Sequence, residues 1–358
     1  MIDNSNMIKS EYDVMVLCLS HFSGGMELDA IKMAKGLINE NIPTLLVCKQ
    51  NSSISYNANQ SNISYQDVSF KTKFSFSLIS QLRKIIIKNN IKNIIFFGTS
   101  EIKSIYFSLI GLTNVKLIVR YGTTRSSSKK NLLHRWFYSR VNYHLCISEH
   151  LLKNVEEIIP ISHRSNLGVI YTSTHFISPL LKKPLKKAIA IHVGRVADGK
   201  GQLDALQAIN NKDISLKLVG ATDDEDYLLK LKNEIKDKEL ESQVEFIGYH
   251  SQPQSLFYDV SIFLFPSHGE GLSNALVEAL GNGLICITYD NTVFPEFKKL
   301  GFHIHLVRDR DIHHLQETID MVIKNLNQEI ELSHRNILLA RTIFSQENEI
   351  KHLLDIIR

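Results

Sequence analysis

Short apolar runs separated by segments of helical period recur along the whole chain, and this alternation limits the folds open to it. Runs rich in Val, Ile and Leu fall at 13–20, 44–48, 93–97, 116–120, 143–147 and 167–171. A second series falls at 188–193, 215–219, 244–247, 261–265, 284–288 and 304–307. Several are apolar on both faces, as strands of a helix-covered parallel sheet must be. Between them, 26–40, 77–89, 131–140, 227–238 and 273–281 carry helical spacing. Strands alternating with helices specify an α/β architecture with parallel sheets. The rhythm pauses once, at 172–187, a stretch holding Pro179, Pro184 and four lysines. We read it as an interdomain linker. The 358 residues then divide into a first domain over 1–172, a linker over 173–187 and a second domain from residue 188. With 44% hydrophobic residues there is enough apolar material for two cores without a disulfide or metal staple.

The four cysteines, Cys18, Cys48, Cys146 and Cys286, each sit in an apolar run, and no CxxC spacing occurs. Buried, reduced thiols are expected, as in a cytoplasmic protein. No apolar run approaches the ~18–20 residues of a membrane span. The first twelve residues are polar and lack the apolar core of a signal peptide. A cytoplasmic location is therefore expected.

The net charge is only +4, but it is unevenly spread. Between Lys71 and Arg140 there are fourteen basic residues, and the only acidic one is Glu101. Such a field suits an anionic membrane surface, a phosphorylated glycolipid or nucleic acid. Solubilising charge on exposed helix faces is the alternative.

The most specific stretch is Phe265-Pro266-Ser267-His268-Gly269-Glu270-Gly271-Leu272-Ser273-Asn274-Ala275-Leu276-Val277-Glu278-Ala279-Leu280. An apolar strand ends at Pro266, a short polar loop follows, and a helix begins near Ser273. Ligands of open α/β sheets bind beyond the carboxyl ends of the strands. Free N–H groups at a helix start suit an anion such as a diphosphate. Carboxylates there, Glu270 and Glu278, are good acceptors for sugar hydroxyls. Singly, Glu270 and Ser273 also read as helix caps and Glu278 as a solvated helix face.

Glu270 and Glu278, seven residues apart within EGLSNALVEAL, resemble the E-x7-E motif of the retaining GT-B glycosyltransferases of family four. The resemblance implies two Rossmann-like domains with parallel sheets facing a central cleft. It implies that Glu270 approaches the donor sugar and Glu278 the nucleotide ribose, while the amides of Gly271, Leu272, Ser273 and Asn274 hold the phosphate. His192-Val193-Gly194-Arg195-Val196-Ala197-Asp198-Gly199-Lys200-Gly201 resembles the family's G-R-x(n)-K-G segment. By that likeness Arg195 and Lys200 bind the donor diphosphate, where fixed cations stabilise the departing charge. Leu218-Val219-Gly220 and the segment 244–249 resemble the strand ends around the base. Asp290 through Pro295-Glu296 and Phe344-Ser345-Gln346-Glu347 resemble later family segments. The latter implies a second domain over 188–340 and a final helix within 341–358 that crosses back to the first domain.

Gly24-Gly25-Met26-Glu27 resembles the family's G-G-x-E loop, implying that Gly24, Gly25 and Glu27 lie near the donor phosphate. Alone it also reads as a glycine turn with an acidic first helical turn. Where many relatives carry a His near the reacting sugar, this chain has Val119-Arg120-Tyr121-Gly122-Thr123-Thr124, so Arg120, Tyr121 or another residue nearby is the candidate replacement. Where many carry Asn-Gly-x-Asp, it has Tyr171-Thr172-Ser173-Thr174-His175. The acid–base partner is left unassigned.

Asp224-Glu225-Asp226 and Asp309-Arg310-Asp311 have the form of metal-holding triplets. Both sit at expected helix starts, where capping is the competing role. With Arg195 and Lys200 supplying cationic charge, no metal and no cofactor are expected. The reading is transfer of a sugar from a nucleoside-diphosphate sugar to a hydroxyl of a saccharide or lipid-linked acceptor, with retention. Cell-surface polysaccharide or lipopolysaccharide synthesis is the expected setting, with peripheral contact at an anionic inner membrane face through residues 71–140 and no nucleic-acid partner. The rivals are a GT-B sugar-nucleotide epimerase and a non-enzymatic basic membrane- or nucleic-acid-binding protein. A dinucleotide oxidoreductase would need a G-x-G-x-x-G after a strand, which is absent.

Overall fold

The computed structural model describes residues 12–21, 24–177 and 187–358. The N-terminal stretch read as lacking a signal peptide, and most of the expected linker, lie outside the described residues. The chain divides into two compact units, one running to Thr172 and including Glu349–Arg358, the other spanning Ser173–Asn348.

The first unit contains β1 (Val14–Cys18), α1 (Gly25–Asn39), β2 (Thr44–Lys49), α2 (Ser53–Gln60), β3 (Tyr65–Val68), α3 (Phe76–Lys88) and β4 (Asn93–Phe97). It continues through α4 (Ile102–Ser108), β5 (Lys116–Tyr121), α5 (Leu132–Tyr138), β6 (Tyr143–Cys146), α6 (Glu149–Ile158) and β7 (Asn166–Val169). The seven strands form one parallel sheet in the order β3-β2-β1-β4-β5-β6-β7. Helix α1 buries Ala30, Ile31, Met33, Ala34 and Leu37, the three-and-four spacing that packs one helix face onto a sheet. Strand β3 escapes the apolar-run reading. Its sequence Tyr-Gln-Asp-Val lies at the sheet edge, where polar residues are tolerated.

The second unit contains β8 (Ala188–Val193), α7 (Gln202–Ile209), β9 (Ile214–Val219), α8 (Glu225–Asp237), β10 (Val244–Gly248), a 3-10 turn at Pro253–Asp259 and β11 (Ile262–Phe265). It continues through α9 (Asn274–Gly281), β12 (Ile285–Tyr289), α10 (Phe294–Lys299), β13 (His305–Val307), α11 (Ile312–Lys324) and α12 (Leu326–Ile343). Its parallel sheet has the order β10-β9-β8-β11-β12-β13. The last helix, α13 (Gln346–Ile357), starts at the end of this unit, and its Ile350, Leu353 and Ile357 join the first unit's core with Val14, Val16, Leu46 and Ile95.

The described linker residues are held firmly by the second unit. Gln254 Nε2 donates to the His175 carbonyl at 2.7 Å, and its Oε1 accepts from Ile177 N at 3.2 Å. The Arg341 guanidinium lies 5.2 Å from the Phe176 ring centroid. All four cysteines are buried thiols, and none is in a disulfide among the described residues. Burial pushes the thiols of Cys18 and Cys146 up to about 12, so both stay protonated at neutral pH. Asp224 and Asp311 cap α8 and α11, each accepting a backbone N–H at 2.9 Å from Tyr227 and His314 respectively.

Candidate active site

In each sheet the strand order reverses once, between β1 and β4 and between β8 and β11. Loops leaving adjacent strands at such a point diverge and leave a crevice. In the second unit those loops are the two motif-bearing segments: 194–201 follows β8 and 266–273 follows β11.

The two loops are locked together by backbone. His268 N donates to the Gly199 carbonyl at 2.9 Å, and Ser267 Oγ lies 3.3 Å from the same oxygen. Gly201 has φ +81°, and a Cβ there would lie 2.0 Å from the Pro266 carbonyl oxygen. Glycine is thus required both for the left-handed turn and for the close approach. A Cβ on Gly220, beyond β9, would lie 1.9 Å from the Gly194 carbonyl oxygen.

This framework brings Lys200 and Glu270 into an ion pair, Nζ to Oε1 at 2.7 Å, with both side chains partly buried. Ser267 Oγ donates to the same Oε1 at 3.0 Å. Glu270 N donates to Thr292 Oγ1 at 3.1 Å, and Thr292 Oγ1 donates to Asn291 Oδ1 at 3.0 Å. Asn291 Nδ2 returns to the Ser267 carbonyl at 3.1 Å. Glu270 is therefore fixed from both sides, by the loop after β11 and by the loop after β12.

Two non-glycine residues beside it adopt left-handed backbone, Ser273 at φ 68° and Thr292 at φ 44°. For a β-branched residue such a φ is a true outlier, and strain of this kind collects at functional sites. Ser273 Oγ accepts from Leu276 N at 3.4 Å and caps α9, whose first residue is Asn274. Gly271 and Leu272 complete the turn into α9. Glu278 sits half-buried about one turn along that helix.

Arg195 shares the loop with Lys200, yet its side chain is exposed and enters no ion pair among the described residues. Its carbonyl is held by Gln202 Nε2 at 2.9 Å. His192 is fully buried, and its Nε2 donates to the Lys200 carbonyl at 2.9 Å. Burial lowers its pKa to about 4, so the ring is neutral at pH 7 and steadies the Lys200 backbone without adding charge. The sequence reading missed Ser267, Asn291, Thr292 and His192 as supports. Their roles arise from contacts between loops, which spacing does not record.

Gly24, Gly25 and Glu27 lie in the first unit, where β1 ends and α1 begins. Glu27 is buried, and a Cβ on Gly24 would lie 3.2 Å from Glu27 Oε2. Arg120 and Tyr121, the candidates to replace a reacting histidine, are both committed to the core. The buried Arg120 guanidinium pairs with Asp29 Oδ2 at 3.1 Å, donates to Thr172 Oγ1 and lies over the Phe97 ring. Tyr121 Oη bonds His144 Nδ1 at 2.8 Å. Both side chains have too little exposure to meet a substrate, which overturns the suggestion that either takes the histidine's place.

Comparison with known proteins agrees with this architecture. A glycosyltransferase from Rickettsia africae ESF-5 superposes with a TM-score of 0.87 at 16% identity, covering 97% of this chain and 98% of that one. HepE of Anabaena, solved in complex with UDP and glucose, superposes with a TM-score of 0.80 at 16% identity, covering 97% and 99%. The fold is that of the GT-B glycosyltransferases. Residues 174–337 match the family model of group 1 glycosyl transferases. Over 116 residues the chain is 33% identical to the poly(glycerol-phosphate) alpha-glucosyltransferase of Bacillus subtilis (strain 168), covering 31% of this chain and 17% of that protein. The chain spans less than half the length of the curated relatives it matches.

Proposed function

We propose that this protein is a retaining, metal-independent glycosyltransferase that moves a sugar from a nucleoside-diphosphate donor to a hydroxyl of a saccharide or lipid-linked acceptor. The observation that carries the reading is the Lys200–Glu270 pair, held at the switch point of the second sheet beside the amides of the turn into α9. In this assignment Lys200 and Arg195 receive the diphosphate, together with the N–H groups of residues 271–274. Glu270 faces the donor sugar and Glu278 the ribose. The anomeric carbon loses its phosphate oxygen as the acceptor oxygen bonds to it on the same face. The acceptor's proton passes to the departing diphosphate, whose added charge the two cations stabilise. No carboxylate nucleophile is required.

The first unit is assigned to the acceptor. Its basic stretch suits a phosphate-bearing acceptor, and the name of the Bacillus relative supports both that chemistry and an alpha product. One surface of this unit also supports peripheral membrane contact. Phe74, Phe107 and Trp136, from the segment before α3 and from α4 and α5, meet edge to face with centroids 5.7 and 5.8 Å apart. Phe76, Leu132 and Leu133 are exposed on the same three-helix region, interspersed with Lys73, Lys103, Lys129 and Arg135. Exposed apolar groups among cations fit an anionic bilayer interface. No helix among the described residues is long and apolar enough to cross a membrane. The proposed setting is the cytoplasmic face of the membrane, in surface polysaccharide assembly.

Binding across a panel of UDP-, GDP- and ADP-sugars, with EDTA present, tests the reading. One donor is expected to bind saturably, about tenfold or more weakly in Lys200→Ala and Glu278→Gln. Product NMR should show the donor's anomeric configuration. Failure of every donor to bind would sink the assignment. Loss of binding on adding EDTA would overturn metal independence, and inverted product would overturn retention.

A further inference from the structure

His303 and His305 precede and open β13, two residues apart in extended backbone, so their side chains share one side. Their rings lie 5.2 Å apart. Glu329, in the first turn of α12, meets both: His303 Nε2 and His305 Nε2 stand 2.7 and 2.8 Å from the same carboxylate oxygen. The ligand-competent atoms of the three residues all lie within 4.8 Å of one another. Two imidazoles and one carboxylate converging in this way are the donor set of open zinc sites, which leave a fourth position to water.

The surroundings hold the set in place. His303 N donates to Asn336 Oδ1 and Asn336 Nδ2 donates to the His303 carbonyl, both at 2.8 Å, so its backbone is clamped to α12 from two directions. Glu329 and His305 keep side-chain exposures of 9% and 14%, while His303 reaches 33% and leaves the cluster open on its side. Ser333, one turn after Glu329 on the same helix face, is fully buried, and its hydroxyl has no partner among the described residues. An orphaned buried hydroxyl on this helix is the kind of group that a bound ion's water can satisfy.

We infer that His303, His305 and Glu329 form a binding site for one zinc-class divalent cation. Tetrahedral bonds of roughly 2.0–2.2 Å place ligand atoms about 3.3 Å apart, so each histidine withdraws by about half an ångström from its present contact. The site lies at the amino end of β13, whereas the donor loops leave strand carboxyl ends. Its role is to tie β13 to α12, not to take part in sugar transfer. The inference is independent of the proposed function.

Calorimetric titration of EDTA-stripped, full-length protein with Zn²⁺ alone tests it, together with Co²⁺ absorption. Wild type should bind one Zn²⁺ per chain and give the intense visible bands of tetrahedral Co²⁺. His305→Ala and Glu329→Gln should weaken binding about 100-fold or more, and the exposed control His313→Ala should leave it unchanged. If His305→Ala fails to give a cooperative melt, His303→Ala replaces it, because that side chain is the more exposed. Absence of binding in wild type, or binding undiminished in these variants, overturns the site.

Discussion

The two units build the same parallel sheet and use its carboxyl ends in opposite ways. In the second, the loops at the switch point are locked together through glycines and strained backbone, with Lys200 and Glu270 presented at their meeting. In the first, β5 ends in Arg120 and Tyr121, which turn inward to Asp29, Thr172 and His144. Its unused chemistry sits instead on the outer helices, as exposed aromatics and lysines. One half presents a charged pair at its strand ends, and the other turns its strand-end side chains into its own core. A shared fold therefore says little about where each half does its work.

Substitutions can break this contrast. Gly201→Ala and Gly220→Ala should cost the most, about 2–6 kcal/mol each from overpacking against a backbone carbonyl, with left-handed strain added at Gly201. Urea unfolding measures it. Gly24→Ala meets only the flexible end of Glu27 and should cost far less. If all three behave alike, the asymmetry between the units is wrong.

In the first unit, Arg120→Met should cost about 3 kcal/mol by stranding the buried Asp29 carboxylate, which keeps Lys32 at 3.0 Å. Donor affinity should not change. A loss of donor binding at full stability would give Arg120 a role in the site after all.

Acid should weaken both units alike. Burial holds His192 and His144 at about 4, below the usual 6.5. The unfolded chain takes up these protons first, so stability is complete above about pH 6.5 and falls as pH drops toward 4. The urea midpoint at pH 7 and pH 5 reads this directly. A midpoint higher at pH 5 would contradict it.

Thr292→Val keeps the shape but removes the acceptor of Glu270 N. We expect turnover to fall about tenfold, with about 1–2 kcal/mol of destabilisation from the unpaired amide. Unchanged turnover would show that Glu270 needs no second anchor. The smallest effect on folding should come from Phe76→Ser with Leu132→Ser, two side chains that are 80% and 83% exposed, within about 0.5 kcal/mol. Sedimentation with anionic vesicles should nonetheless drop sharply, and undiminished sedimentation would remove the membrane role from this surface.

Much of this was legible beforehand, for physical reasons that also mark where legibility stops. Strand β8 runs over 188–193 as read, because a short apolar run interrupted only by His192 and closed by Gly194 reads as a buried strand. Strand β3 was invisible because an edge strand keeps polar residues. The loop 266–273 announced itself through glycines and carboxylates, whereas Thr292 and Ser267 became supports only when two loops met. Arg120 looked reactive as a lone cation, and its partner Asp29 is ninety-one residues away. His303 and His305 went unremarked, because Glu329 joins them only through the packing of α12.

The placement of α13 has a consequence for how the molecule is made. Ile350, Leu353 and Ile357 fill a core whose other walls are β1, β2 and β4. Those walls emerge from the ribosome first, yet the core they enclose cannot close until residue 357 has followed. The second unit needs no such wait. The half translated first is thus the half completed last, and a nascent chain stalled anywhere before α13 carries an unsealed apolar surface that a chaperone can hold.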